Sequence, residues 1–391
     1  MPIEASSVTT VPRRLRLGMV GGGRGAFIGA VHRIAARLDD RWELVAGALA
    51  SDPERAVASA ADLHIAPDRA YIDYAEMARV EAGRADRIDA VSIVTPNHLH
   101  FPVAKAFLEA GINVICDKPM TRTVEEAEAL AALVAKSGKV FVLTHNYTAY
   151  PMVRQAKAMV AAGDLGHVRV VQVEYPQDWL TEATEATGSK QAEWRVDPAR
   201  SGAGGSLGDI GSHAFNLAEY ISGLKVEALA ADLAAFVPGR RLDDNANVLL
   251  RFNGGAKGML WCSQVAPGNA NALKIRVFGD KGGLEWRQEF PNELMFSPFG
   301  QPTRTLIRSG PGADAHAGHA TRVPGGHPEG YLEGFAQVYT DAAELILAAE
   351  AGRAPNPEAA KVPTVQDGVR GVRFIAAAVA SGQANSAWTK L

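Results

Sequence analysis

Cysteine is scarce in this 391-residue chain, which holds two, Cys116 and Cys262. They stand too far apart for a disulfide framework or a metal-ligand spacing, and both read as reduced thiols of a cytoplasmic protein. Long apolar runs are missing as well, so no segment approaches a membrane span. The opening residues, MPIEASSVTTVP, lack the apolar core of a signal peptide, and residues 1–12 read as a loose tail. Charge of one sign is also lacking. Acids and bases are interspersed and the formal net charge is −3. That leaves no basic footprint for nucleic acid and no polybasic stretch for a membrane surface. The Gly-, Pro- and His-rich loop 311–330 carries His316, His319, His327 and Glu329, but not in a recognisable ligand spacing, and no metal is expected. Small-molecule chemistry remains.

What is present is a chain long enough for two domains, with 47% hydrophobic residues. Residues 13–146 alternate strand and helix signals. LRLGMV, WELVAGAL, DAVSIVT, INVIC and VFVLT read as strands. AFIGAVHRIAARL between the first two has Phe27, Val31, Ile34 and Leu38 at helical spacing. This alternation predicts a doubly wound parallel sheet of the Rossmann type. Over 147–391 the texture changes to strand-like runs with short turns: HVRVVQVEY, VEALAADL, ANVLLRF, AKGMLWCS and LKIRVFG. They predict an α+β domain with a mostly antiparallel sheet.

The stretch GMVGGGRGAFIG lies between the first strand and the first helix. As G-x-G-x-x-A it uses Gly21, Gly23 and Ala26, with Arg24 and Gly25 completing the turn. Glycines there permit a tight turn and close approach to a pyrophosphate, whose charge sits at the helix N-terminus. A dinucleotide is the expected cofactor. The second strand ends GALASDPERA, which places Ala50 where a carboxylate would bind the ribose of NAD. Asp52 follows two residues later, and could equally cap the next helix with Pro53 at its first position. Ser51 and Arg55 could accommodate a 2′-phosphate. The balance falls on NAD, with NADP the other choice.

Ligands of such sheets bind at the carboxyl ends of the strands. Two ends carry chemistry here. VTPNHLH brings Thr95, Pro96, Asn97, His98 and His100 toward a cofactor, although each histidine could instead serve a helix start. CDKPM brings Asp117, Lys118 and Pro119. An ammonium at that crevice could hold a substrate oxygen and stabilise alkoxide character during hydride transfer. A second constellation is GGSLGDIGSHAFNLAEYISG. Asp209 and His213 are four apart and would share a helix face, so the carboxylate could orient the imidazole as a general base. The bland reading makes Asp209 a helix cap and His213 a packed side chain. Tyr147, Trp194, Arg195, His327 and Glu329 could line a sugar site.

Several of these motifs coincide in order: GMVGGGRGAFIG, VTPNHLH, CDKP, HNYTAYP and GGSLGDIGSHAFN. Over about residues 14–290 the chain resembles the glucose-fructose oxidoreductase, inositol dehydrogenase and rhizopine-catabolism (Gfo/Idh/MocA) oxidoreductases. The family's Glu-Lys-Pro is here Asp117-Lys118-Pro119, a departure that keeps the lysine. The resemblance implies catalytic roles for Lys118, Asp209 and His213, and a cis Lys-Pro bond. It also implies a large open second sheet that joins copies into a dimer or tetramer. The implied reaction is NAD(P)-dependent oxidation of a secondary hydroxyl of a cyclic polyol, sugar or glycoside. Alternatives on the same scaffold are an NAD-dependent glycosidase or lyase that oxidises its sugar transiently, and a sensor that binds dinucleotide without turnover.

Overall fold

Strands that are apolar on both faces need cover on both, and the first sheet of this protein is built that way. A computed structural model of the chain describes residues 13–391, so the tail reading at 1–12 lies outside the described residues. The first sheet comprises β1 (Leu15–Gly21), β2 (Trp42–Ala48), β3 (Ala90–Val94), β4 (Asn113–Cys116) and β5 (Phe141–Leu143). They run parallel in the order β2-β1-β3-β4-β5. Chain direction across the sheet switches between β1 and β3, the place where a ligand crevice opens. Register pairs Gly21 with Val94 and Ile93 with Cys116, so the glycine turn, VTPNHLH and CDKPM emerge along one edge.

Helix Phe27–Leu38 forms as its periodicity predicts, but it buries a different face. Phe27, Ile34 and Leu38 are exposed, whereas Gly29, Val31, His32, Ala35 and Ala36 are buried. Small residues win because this helix packs close against backbone and against a second helix, Tyr331–Glu350. Leu15, Leu17, Val31 and Trp42 form one core with Phe335, Tyr339 and Ile346. Helix Val365–Gln383 covers the other side, where Val365, Val369 and Val372 pack with Met120, Leu130 and Phe141. The last stretch of chain thus returns to complete the first sheet, and Thr364 makes an antiparallel bridge to Val142.

Among the described residues the second sheet has nine strands. β6 (Val168–Pro176), β7 (Val226–Ala234), β8 (Asn245–Phe252), β9 (Lys257–Ser263) and β10 (Lys274–Gly279) match the expected runs. β11 (Gly282–Arg287), β12 (Glu293–Pro298), β13 (Arg304–Ile307) and β14 (Thr389–Lys390) extend it. The order is β13-β12-β11-β10-β6-β9-β8-β7-β14, antiparallel except for the β6–β9 pair. One face packs on helices Pro151–Ala162 and Ser212–Ser222. The segment 311–330 is not wholly loop, since Ala315–His319 forms a short helix. Among the described residues no helix is long and apolar enough to cross a membrane.

Candidate active site

The strand ends open onto a cleft of about 1440 Å³ between the two sheets. At its first end the chain turns sharply at Gly21 and Gly22, with φ of 82° and 74°. A Cβ on Gly23 would meet the Leu49 carbonyl oxygen at 2.7 Å and Ser59 Oγ at 2.8 Å. Close packing of helix on strand falls to Gly29, whose Cβ would strike the Gly22 backbone. Ala26, expected in that role, is instead the N-cap. It offers no side-chain cap and the first turn holds no acid, so the leading N–H groups remain free for an anion. Arg24 lines the cleft and pairs with Asp62 at 2.6 Å. Gly25, at φ 80°, completes the turn.

The ribose end corrects one expectation. Asp52 caps helix Pro53–Asp62 by accepting the Arg55 N–H at 2.8 Å, and it is not part of the cleft lining. Its carboxylate is held by the orphan donors of the helix start. Ala50, Ser51 and Arg55 line the cleft instead.

Along the middle, Thr95, Pro96, Asn97 and His98 line the cleft as expected. Asn97 donates to the Ser201 carbonyl at 2.9 Å, tying this strand end to the second domain. His100 does not reach the cleft. It is buried with Nδ1 2.8 Å from the Pro119 carbonyl oxygen and Nε2 2.9 Å from that of Thr95, and so clasps the ends of β3 and β4 together. Asp117 accepts from the Lys118 N–H at 2.9 Å and the Thr144 hydroxyl at 2.8 Å. The Lys118–Pro119 bond is cis. Pro119 itself is not part of the cleft lining.

Lys118 Nζ bonds the Asp209 carboxylate at 3.0 Å and also its main-chain carbonyl. The other carboxylate oxygen accepts Arg195 Nε at 3.0 Å and Gln264 Nε2 at 2.9 Å. Burial alone would raise the Asp209 carboxyl, but the Arg195 and Lys118 charges outweigh it and hold it well below the usual carboxylate range. Asp209 therefore does not orient His213. Its turn, Leu207–Gly211, is π-helical, which breaks the i, i+4 alignment that a plain α-helix would give, and its oxygens already serve three side-chain donors. His213 instead sets Nδ1 3.4 Å from His145 Nδ1 and packs edge-on to the Tyr147 ring at 4.8 Å. Burial, then the Lys118 charge, lower both imidazoles: His145 to about 3, His213 well below the usual histidine range.

The substrate-side residues divide. Arg195 stacks on Trp194, with guanidinium carbon and ring centre 4.4 Å apart. Tyr147 shares a 2.6 Å bond with Tyr175, and Asn271 joins both hydroxyls. All of these line the cleft. His327 does not: it is exposed on the distal loop, where its carbonyl accepts from Arg308. Glu329 is buried against Arg308 at 2.9 Å and caps the Arg322 and Val323 N–H groups. His316 pairs with Glu358 and His319 with Asp341. Among the described residues no three His, Cys, Asp or Glu side chains converge as a metal set would.

A dinucleotide fits this cleft on its own features: the uncapped helix start, the glycine cradle, and three buried polar atoms without a protein partner. These are Thr95 Oγ1, His98 Nδ1 and Asn146 Nδ2, all from lining residues. Residues 15–145 match the family described as "Oxidoreductase family, NAD-binding Rossmann fold", and residues 153–285 match the GFO/IDH/MocA C-terminal domain. An uncharacterized oxidoreductase of Bacillus subtilis, YfiI, is 35% identical over 97% of this chain and 98% of its own length.

The chain belongs to the Gfo/Idh/MocA oxidoreductases. It is an NAD(P)-dependent enzyme of that family. The crystal structure of an oxidoreductase from Sinorhizobium meliloti superimposes with a TM-score of 0.89 at 55% identity, over 97% of this chain and 100% of that one. An inositol dehydrogenase homolog from Azotobacter vinelandii, solved with NADH and myo-inositol, gives a TM-score of 0.89 at 37% identity over 97% and 98% of the two chains.

Three cleft-side residues of this Gfo/Idh/MocA chain, His145, Gln264 and Asn271, are not signalled by the sequence motifs. His145 sits inside HNYTAYP, two residues before Tyr147. Gln264 and Asn271 lie in a turn after β9 that carries no pattern of its own.

Proposed function

We propose that this oxidoreductase oxidises a secondary hydroxyl of a cyclic polyol, sugar or glycoside to a ketone, reversibly. One observation carries the reading: Lys118, Asp209 and His213 meet in the cleft beyond the glycine-lined end. When bound, the dinucleotide supplies a nicotinamide that accepts or returns a hydride. Lys118 holds the reacting oxygen and stabilises its developing negative charge. His213, neutral at working pH, takes the hydroxyl proton and returns it in the reduction. Asp209 positions Lys118 and Arg195, and the Tyr147, Tyr175 and Asn271 wall offers hydroxyl and amide groups to a polyol ring. The similarity to a protein crystallised with myo-inositol supports the substrate class. The outer face of the second sheet, with Leu249 and Met259 exposed, we assign to contacts between copies in a dimer or tetramer, testable by light scattering.

The test is a screen of inositols, aldoses and alkyl glycosides with NAD and NADP, followed at the reduced-nicotinamide absorbance band. A rise with a member of the panel is expected. A flat trace from protein shown to bind cofactor would overturn the reading, and product formation without net reduction would replace it with transient-redox glycoside cleavage.

A further inference from the structure

A general base must present a lone pair to the hydroxyl it deprotonates, so the side chain that fixes its tautomer matters as much as the base. In this cleft Asp209 cannot do so for His213, since Lys118, Arg195 and Gln264 occupy its oxygens. Tyr147 and Tyr175 meet the His213 ring by their edges, at 4.8 and 6.3 Å between centres, with no hydrogen bond to its nitrogens. The imidazole makes its polar contact with His145 Nδ1. At 3.4 Å it is long, as catalytic contacts often are before substrate closes on them.

Two Nδ1 atoms that face each other can share one proton. If His145 donates, His213 carries its proton on Nε2 and has no lone pair for substrate. If His213 donates, Nε2 is unprotonated, and it is the ring nitrogen left available to the cleft that His213 lines. We propose that His145 is the positioning residue for the base: its unprotonated Nδ1 accepts the Nδ1–H of His213 and keeps the Nε2 lone pair on the substrate side. The inference rests on the reading of His213 as base. The hydroxyl proton then ends on Nε2, the Nδ1–H stays bonded to His145, and the positive charge of the imidazolium is shared with a neutral acceptor.

Its surroundings support that role. His145 is 2% exposed. Its N–H bonds the Leu143 carbonyl at 2.9 Å, and its carbonyl accepts from Thr148 at 2.8 Å. The preceding Thr144 is anchored on Asp117. The charged and titratable groups around His213 are Lys118 and His145, which oppose its protonation, Asp209, which favours it, and the hydroxyls of Tyr147 and Tyr175, which burial keeps neutral. Burial and the Lys118 charge lower the His145 imidazole to about 3, so it is neutral across the working range and keeps a nitrogen lone pair to offer.

The test begins with the full chain labelled with ¹⁵N-histidine, at pH 7, with His145→Asn and His213→Gln samples for assignment. Expected are His213 as the Nδ1–H tautomer and His145 as the Nε2–H tautomer; His213 protonated on Nε2 overturns the proposal. This arm needs no substrate, so it stands even if the polyol reading fails. Kinetics with the substrate found above form the second arm. His145→Phe removes the acceptor and should lower kcat by about 100-fold or more, with cofactor affinity unchanged. His145→Asn keeps an oxygen near the Nδ1 position and should stay within about tenfold of the parent. Equal losses in both variants, or no loss in either, would reduce His145 to packing.

Discussion

Lys118 Nζ stands 3.0 Å from Asp209 Oδ1, and this contact joins the end of β4 to the π-turn ahead of helix Ser212–Ser222. It crosses from the cofactor-binding sheet to the helices of the second sheet. One carboxylate there serves two cations, because Arg195 reaches the other oxygen. Replacing Asp209 by Asn leaves both cations without that charge and frees Lys118 to move. Turnover should fall by roughly 10²–10⁴-fold, with cofactor affinity held within a few-fold. Steady-state kinetics and a fluorescence titration check this, and full activity would remove Asp209 from the proposed machinery.

Gly29 has no room for a methyl group. Gly29→Ala should push helix Phe27–Leu38 away from the Gly22 turn and weaken cofactor binding by roughly tenfold or more. Gly371, in helix Val365–Gln383, has nothing within 4 Å of its would-be Cβ. Gly371→Ala should leave binding alone and raise stability by about 0.5–1 kcal/mol. Isothermal titration and chemical denaturation separate the two cases.

At the ribose end Asp52 is engaged as a cap and so is Asp73, while Ser51 and Arg55 face the cleft. NADP should therefore serve alongside NAD, with kcat/KM values within roughly tenfold of each other. Arg55→Ala should penalise NADP more than NAD. Exclusive use of NAD, unchanged in that variant, would count against this reading of the pocket.

Buried His145 and His213 have lowered folded-state values, so the unfolded chain binds protons before the folded one does. Stability from these groups is complete above the unfolded value near 6.5 and is lost as pH falls below it, for His145 down to about 3. Each contributes up to about 1.4 kcal/mol of loss per pH unit in that window. Denaturation midpoints at pH 7 and pH 5 should show the decline, and His145→Asn should flatten it.

His327 lies on an exposed loop away from the cleft. His327→Ala should leave kcat/KM within about twofold, because removal of an exposed side chain far from the reacting atoms perturbs neither binding nor barrier. A large loss would bring that loop back into the site.

Much of this was legible because parallel strands read as short apolar runs closed by turn residues. All five strands of the first sheet and the positions of Lys118, Asp209 and His213 follow from such runs and from motif order. The rest was hidden for identifiable reasons. β11, β12 and β13 mix Gly, Pro and charge on half-exposed surfaces, so alternation is weak. Helices Tyr331–Glu350 and Val365–Gln383 are buried on more than one side, which blurs the one-stripe periodicity of a surface helix. The burial of Gly29 rather than Phe27 depends on backbone approach, to which a hydrophobic count is blind. His145 and His213 meet across 68 residues of sequence from a turn and a helix, and no local spacing announces such a pair.

The return of the C-terminal helices has a consequence for synthesis and for dissection. Leu15, Leu17 and Trp42 leave the ribosome first, yet their packing partners Phe335, Tyr339 and Ile346 leave among the last. Part of one face of the nucleotide-binding sheet, which helix Phe27–Leu38 covers incompletely, must wait until nearly the whole chain has emerged, and a nascent chain in that condition depends on protection from aggregation. For the same reason a cut after the fifth strand would not release a self-sufficient cofactor module. Anyone grafting this half onto another catalytic partner must carry its two distant helices along with it.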